Sequence, residues 1–190
     1  MRILLLNYLD TSKPGGISKV VRELGGGLAG LGHSVKIIQP MKPDGDESGE
    51  YFGFRDTGLI QALGLHHYRI GDIGGIIKHI REFSPDLINI HGSRNILSPL
   101  AVINVKRSFP DIPLIYSPHH DSKSGVTFSG RYLFWLHKIL LLGRAYQNAD
   151  MITVCSEFEE LQVSGTFVGR SDKIRVIPNG IDEPNRILKK

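Results

Sequence analysis

The chain has 190 residues, of which 41% are hydrophobic and 22% charged, so it suits one globular domain and is not a disordered or low-complexity chain. The net charge of +4 suits phosphate-bearing or acidic partners, but the basic residues are scattered and we expect no nucleic-acid partner. The single cysteine, Cys155, excludes an internal disulfide, and no apolar run reaches the ~18 residues of a membrane span, so we expect a cytoplasmic location.

The first elements along the chain are predicted to be a strand, a helix and a strand. Residues 2–7 form a continuous apolar run, typical of a parallel strand that is buried on both faces. Apolar residues then recur at helical spacing over residues 17–31, and a glycine stop precedes a second strand at 35–39. Three glycines at 25–27 fall inside this helix at a cost of ~1 kcal/mol each, which predicts close packing on the sheet or a kink.

The second half of the chain alternates helices and strands, after an irregular part at 40–72 where we assign no element. Strands are predicted at LINIH (87–91), LIYS (114–117), MITVC (151–155) and IRVIP (174–178), and a long apolar helix at 131–148. Helices that end in Pro-Asp turns precede the first two of these strands. Alternating elements with short connections predict a Rossmann-like, doubly wound α/β fold with a mostly parallel sheet and helices on both faces.

Two adjacent glycines, Gly15 and Gly16, stand where the first helix should begin. Without side chains they can adopt positive φ and let another molecule approach the backbone closely. The unpaired N–H groups at a helix N-terminus also form an anion site. The alternative is a flexible turn between strand and helix. Because this loop comes from the edge of the sheet where strands end, the sequence favours recognition of a phosphate or pyrophosphate.

Polar residues follow the predicted strands at their carboxyl ends, where α/β sheets bind ligands. They are Asn7, Tyr8, His91, Gly92, Ser117, His119, His120, Ser156, Glu157, Asn179 and Gly180. The dinucleotide fingerprint G-x-G-x-x-G is absent, as are the phosphate-loop, nucleophile-elbow and H-E-x-x-H motifs. NAD binding, kinase-type and zinc-protease functions therefore lack support.

Five segments in order resemble the N-terminal domain of retaining glycosyltransferases of family 4, which have the GT-B fold: PGGISKVVRELGGGLAGLGHSV, PDLINIHGS, PLIYSPHH, ADMITVCSE and IRVIPNGID. The resemblance covers nearly the whole chain. It implies two Rossmann-like domains facing each other across a cleft, the N-terminal one holding mainly the acceptor and the C-terminal one the nucleotide-sugar. No pair of glutamates here has the E-x7-E spacing of that second domain. We expect residues 1–182 to be the acceptor-side domain, 183–190 a hinge or tail, and the donor-binding domain to be absent from this chain.

The resemblance also implies roles for individual residues. Gly15 and Gly16 match the glycine pair whose amides approach the donor diphosphate. His119 matches the histidine beside the transferred sugar and is the catalytic candidate, where an imidazole could hydrogen-bond a sugar hydroxyl or favour developing charge. The acceptor-binding candidates are His91, Arg94, Asn95, His120, Ser156 and Glu157. His120 is also the alternative to His119, because SPHH leaves the match uncertain by one residue. Arg94 could instead be a solvated loop charge, and His91 could cap a strand.

The expected partners are a nucleotide-sugar donor, an acceptor that is a sugar, a lipid-linked molecule or a small molecule, and the C-terminal domain of the full-length protein. No cofactor or metal is expected, since we interpret Asp44-Gly45-Asp46 as a solvated turn and His66-His67 as structural or exposed residues. The helix around YLFWLHKILLL could contact the inner face of a membrane, or it could be buried or lie between domains.

Three functions remain open at this point. The first is the acceptor-binding half of a sugar transferase that is inactive alone. The second is a stand-alone module that binds a nucleotide or phosphosugar without catalysis. The third is a Rossmann-type oxidoreductase, against which the missing fingerprint counts.

Overall fold

The computed structural model describes residues 1–9, 11, 14–40, 51–53, 56–57, 70–93, 95–119, 138–165 and 171–180. Its strands are β1 (Arg2–Leu6), β2 (Ser34–Gln39), β3 (Tyr51–Gly53), β4 (Asp56–Thr57), β5 (Ile70–Gly71), β6 (Leu87–His91), β7 (Leu114–Ser117), β8 (Met151–Val154) and β9 (Ile174–Val176). Its α-helices are α1 (Gly16–Gly30), α2 (Ile73–Phe83), α3 (Leu97–Ser108), α4 (Gly143–Asn148) and α5 (Glu157–Ser164). A π-helical turn at Lys138–Leu142 precedes α4, and a 3-10 turn at Ser171–Lys173 precedes β9.

Seven strands form one parallel sheet in the order β3-β2-β1-β6-β7-β8-β9, and β4 and β5 form a separate antiparallel pair. Strand β1 pairs with β2 on one side and with β6, the central strand of the seven, on the other, so that Leu4 lies opposite both Lys36 and Ile88. The chain moves outward from β1 to β3 and then crosses back to β6. This reversal is the switch point at which such sheets bind ligands, and it confirms the predicted doubly wound α/β fold.

Helices pack on both faces of the sheet, but unequally. One face carries the larger core, in which Leu4, Ile88 and Tyr116 of the strands pack with residues of α2, α3, α4 and α5. On the other face only α1, among the described helices, packs against the strands, with Val21 against Leu5 in the smaller core. Burial of each apolar side chain of this size contributes about 1.5–3 kcal/mol to the free energy of unfolding. On the second face, α1 covers β1 and β2, and a cavity opens beyond them.

The end of α1 confirms the predicted glycine stop. Gly32 has φ +85°, and its N–H donates to the carbonyl of Ala29 at 2.9 Å. The N–H of His33 donates to the carbonyl of Leu28 at 3.1 Å. These two bonds form a Schellman motif, which requires the left-handed conformation that glycine adopts at low cost.

The three glycines inside α1 have different surroundings. A Cβ added to Gly25 would lie 3.3 Å from Cδ1 of Ile37 and 3.6 Å from Cδ1 of Leu5, so close packing on the sheet accounts for this glycine. A Cβ on Gly26 or Gly27 would meet nothing within 4 Å. The predicted close packing therefore applies to Gly25 only.

Some predicted boundaries differ from the structure. Strand β1 ends one residue earlier than predicted, although the N–H of Asn7 still donates to the carbonyl of Ile38 in β2 at 2.9 Å, and the side-chain amide of Asn7 donates to the carbonyl of Leu9 at 2.7 Å. Strand β8 likewise ends before Cys155, and the described part of the predicted helix 131–148 starts as a π-helical turn. The Asp-Gly-Asp turn at 44–46 and the histidines at 66–67 lie outside the described residues. Within the described part of the chain, no helix is long and apolar enough to cross a membrane.

Candidate functional site

A cavity of about 1230 Å³ opens at the switch point of the sheet. It is lined by Gly15, Gly16 and Lys19 at the start of α1, by His91 at the end of β6 and His119 after β7, and by Asn179 and Gly180 after β9. Its floor is the face of the sheet that α1 leaves uncovered, with Asn89, Ile115, Ser117 and Thr153. Four of the predicted site residues, Gly15, Gly16, His91 and His119, thus share one cavity although they are far apart in sequence.

The glycine pair at the start of α1 does not adopt the positive φ that we expected. Gly15 is the N-cap with φ 171°, which is extended backbone, and Gly16 is already helical. A Cβ on Gly16 would meet no atom of the described residues within 4 Å, and one on Gly15 would touch Ser18 Oγ at 3.7 Å and Ser18 Cβ at 3.9 Å. Packing of the described residues therefore does not require glycine at either position. Their absent side chains instead leave open space outside the first turn of the helix.

The N-terminus of α1 is suited to an anion. No side chain caps it, and its first turn contains no acidic residue. Since Gly15 and Gly16 line the cavity, the unpaired N–H groups and the positive end of the helix dipole lie at its wall, and Glu23, which also lines the cavity, lies about two turns further along α1. Lys19, one turn along the same helix, is exposed and adds positive charge to the cavity wall.

His91 and His119 form a side-chain pair on the opposite wall. Nδ1 of His91 lies 3.0 Å from Nε2 of His119, and the two rings meet edge to edge in nearly one plane, with centroids 5.3 Å apart and an interplanar angle of 15°. Burial, and to a smaller extent the neighbouring His119, lower the pKa of His91 to about 3. Burial also lowers the pKa of His119, against the opposing effect of the Glu159 carboxylate. Both rings are therefore neutral at pH 7.

The backbone around this pair is tightly held. His119 has φ +48°, an uncommon value for a residue with a side chain. Gly92 has φ +96°, and a Cβ there would come within 2.3 Å of the Tyr8 ring. The hydroxyl of Tyr116 donates to the carbonyl of Gly92 at 2.8 Å, and the N–H of Gly92 donates to the carbonyl of Ser117 at 2.8 Å. The loop after β6 is thereby tied to β7 beside the histidines.

Asn95, Ser156 and Glu157, three other predicted acceptor-binding residues, are not among the residues that line the cavity. Asn95 is fully buried, and its Oδ1 accepts from the N–H of Ser98 at 2.7 Å at the start of α3. Ser156 is the N-cap of α5, and its Oγ accepts from the N–H of Glu159 at 3.2 Å. Glu157 is exposed on the first turn of that helix. Arg94 and His120 lie outside the described residues. The roles of all these residues in acceptor binding stay predictions.

The sequence analysis named Ser117 but missed Asn89 and Thr153, which lie within β6 and β8, and Lys19, which lies within α1. Ser117 Oγ donates to Asn89 Oδ1 at 3.0 Å and lies 2.6 Å from Thr153 Oγ1, so three neighbouring strands form a polar ladder on the cavity floor. The signal in the sequence was an isolated polar residue inside an apolar strand, Asn89 in LINIH and Thr153 in MITV. Lys19 was missed because a single lysine on a helix is usually a solvated charge. Among the described residues, no group of three or more His, Cys, Asp or Glu side chains could hold a metal ion.

Comparison with solved structures finds the same fold in two UDP-N-acetylglucosamine 2-epimerases. The enzyme from Neisseria meningitidis, solved with bound UDP-GlcNAc, superposes with a TM-score of 0.55 at 14% identity over 94% of this chain and 47% of its own. The enzyme from Rickettsia bellii superposes with a TM-score of 0.53 at 10% identity over 92% of this chain and 43% of its own. The chain thus spans less than half the length of these relatives. At such identities the likeness concerns the fold.

Among curated proteins, none matches the chain significantly in sequence. The family comparison is more specific, because residues 14–183 match Glycosyltransferase Family 4. This match includes the glycine pair, both cavity histidines and every strand from β2 to β9. The chain is a GT-B-type domain and belongs to Glycosyltransferase Family 4.

Proposed function

We propose that this chain is the acceptor-side domain of a retaining glycosyltransferase, which transfers a sugar from a nucleotide-sugar to an acceptor in concert with a second, donor-binding domain. One observation carries the proposal. The uncapped N-terminus of α1 at Gly15 and Gly16 and the ring of His119 open into the same cavity at the switch point of the sheet. Membership in Glycosyltransferase Family 4 supports the reaction class.

The two walls of the cavity suit two requirements of sugar transfer, which are stabilisation of the leaving group and binding of the transferred sugar. As the bond between the sugar and the diphosphate breaks, negative charge grows on the leaving group, and the amides of Gly16 and its neighbours with the dipole of α1 stabilise that charge. Lys19 on the same wall adds to this effect. His119 on the other wall hydrogen-bonds the transferred sugar. UDP-GlcNAc in the Neisseria meningitidis relative is a nucleotide-sugar bound by the same fold, which supports this class of donor.

The acceptor would approach from the carboxyl ends of β6 and β7, beside His91. We expect the 190-residue chain alone to transfer or hydrolyse no nucleotide-sugar, because orienting two substrates together contributes ~7–11 kcal/mol to catalysis and needs both domains. Release of free nucleotide from UDP-GlcNAc by the isolated chain would contradict this expectation.

The test uses Gly16→Val and His119→Ala in a version that contains both domains. Gly16→Val should mainly weaken use of the donor, because the new side chain occupies the open space where the diphosphate approaches the amides. Gly30→Val is the matched control, since Gly30 also has nothing within 4 Å and lies about 21 Å away at the other end of α1. The control should leave donor use unchanged.

His119→Ala should lower kcat by ~10²-fold with a modest effect on donor affinity, if its hydrogen bond strengthens in the transition state. Donor titration and steady-state rates separate the two effects. A normal kcat in His119→Ala removes this residue from the catalytic set, and His120→Ala then tests its neighbour. If the two-domain protein binds UDP-GlcNAc and related donors but never turns them over, the binding module without catalysis replaces the transferase.

A further inference from the structure

We infer that His91 is a positioning residue that holds His119 as the tautomer protonated on Nδ1, so that His119 presents an N–H donor, and not a lone pair, to the ligand in the cavity. The inference rests on the proposed function for the nature of that ligand, a nucleotide-sugar. Its structural basis, the pairing of the two rings, is independent of that function.

The contact between the rings has the geometry of a hydrogen bond. The Nδ1 to Nε2 distance of 3.0 Å joins one nitrogen of each ring, and only one proton can lie between them. The two rings are nearly coplanar, as an in-plane N–H···N hydrogen bond requires, and this bond restricts rotation of His119 about its side-chain bonds. The second nitrogen of His119, Nδ1, makes no hydrogen bond to a described residue, and the ring lines the cavity.

His91 is the fixed member of the pair. It is the last residue of β6 and only 1% exposed. Its carbonyl accepts from Ser98 Oγ at 2.7 Å, and it lies opposite Ser117 in the register of β6 and β7. By contrast, His119 follows β7 in a strained backbone conformation, φ +48°, of the kind that persists only when its surroundings hold it.

The position of the shared proton follows from the other nitrogen of His91. Nε2 of His91 is buried and has no hydrogen-bond partner among the described residues. If His119 donated to His91, the His91 proton would have to lie on Nε2, as a buried N–H without an acceptor. If His91 donates, Nε2 keeps only an unpaired lone pair. Orphaned buried N–H groups are rarer than under-satisfied acceptors, so His91 is the donor and His119 carries its own proton on Nδ1.

This tautomer determines what His119 can recognise. A neutral imidazole with its proton on Nδ1 donates to an oxygen lone pair, such as that of a sugar hydroxyl or a phosphate, and cannot accept a proton at that nitrogen. With this tautomer, His119 is a hydrogen-bond donor to the substrate and not a general base. The buried Glu159 on α5 raises the pKa of His119, but the opposing effect of burial is larger.

The first test is histidine nitrogen NMR on this chain, which distinguishes the two tautomers of a ring directly. In the wild-type protein His119 should be protonated on Nδ1. His91→Leu removes the donor, and His119 should then shift to the Nε2 tautomer that free imidazole side chains prefer. His91→Asn can place an amide N–H near the position of Nδ1, and His119 should remain protonated on Nδ1.

Two results would overturn the inference: a wild-type His119 protonated on Nε2, or an unchanged tautomer in folded His91→Leu. Should His91→Leu fail to fold, the wild-type and His91→Asn spectra still decide. In the two-domain enzyme, His91→Leu should lower kcat toward the ~10²-fold loss expected of His119→Ala with little change in KM for donor, and His91→Asn should recover part of that rate. Absence of any transfer would count against the proposed function alone, because the NMR result does not depend on it.

Discussion

Replacement of Gly92 by alanine should destabilise the protein more than any other glycine-to-alanine change among the described residues. Gly92 follows β6 directly, and its φ of +96° lies in the region that residues with a Cβ rarely adopt. The new Cβ would also lie 2.3 Å from Cε1 and 2.5 Å from Cδ1 of Tyr8, and 3.1 Å from Nδ2 of Asn95. The tyrosine ring would therefore have to move.

Two effects add up in this variant. Backbone strain of a residue with a side chain at such a φ costs about 1–3 kcal/mol. Overpacking against the Tyr8 ring, which packs on the larger core, costs about 1–3 kcal/mol more. The free energy of unfolding should thus fall by about 2–6 kcal/mol, and for a chain of this size Tm should fall by at least about 4 °C.

Two other glycines separate strain from overpacking. Gly32 has a similar φ of +85° and nothing within 4 Å of an added Cβ, so Gly32→Ala should cost only the strain, about 1–2 kcal/mol. Gly26 lies in the helix α1 with the same free space and no positive φ, so Gly26→Ala should stabilise the protein by up to about 1 kcal/mol. Chemical denaturation of the three variants gives the order directly.

The reasoning fails if Gly92→Ala is no less stable than Gly32→Ala, because the contact with Tyr8 would then contribute nothing. A double variant provides the complementary measurement. Adding Tyr8→Ala to Gly92→Ala removes the ring that the Cβ meets, and the two changes should couple by about 1–3 kcal/mol. Additive effects would show that the ring relaxes freely in the single variant.

Two further predictions concern the stability of the whole chain. Urea unfolding should be a single cooperative transition by circular dichroism and fluorescence alike, because one continuous sheet joins all the cores, and two separated transitions would contradict a single domain. Stability should also fall with acid: the pKa of His91 is about 3 in the folded protein and 6.5 in the unfolded chain, so the unfolded state binds more protons between these values. Between pH 6.5 and 3, each pH unit should lower the free energy of unfolding by about 1.4 kcal/mol through this group. Urea unfolding of the wild type and of His91→Asn at pH 7, 6 and 5 should show a smaller loss of stability in the variant.

The parallel sheet could be predicted because its signals are local. Strands such as LINIH are short apolar runs, and the helices between them show apolar spacing with stops that the structure confirms, as at Gly32. The predicted strands were one residue too long at the ends of β1 and β8 and two residues too long at the end of β9. Resemblance in ordered motifs also sufficed for the family, which the match over residues 14–183 confirms.

The candidate site was predictable in its parts and not in its arrangement. The residues near the ends of the strands and at the start of α1 could be identified from the sequence, because periodicity and glycine positions are signals that span only a few residues. The extended conformation of Gly15 could be seen only in the folded structure. The same holds for the polar ladder across β6, β7 and β8. The tertiary structure also decided that His91 pairs with His119, 28 residues away. That contact depends on the register of two parallel strands and on what is buried around them, and neither quantity is encoded in any short stretch of the chain.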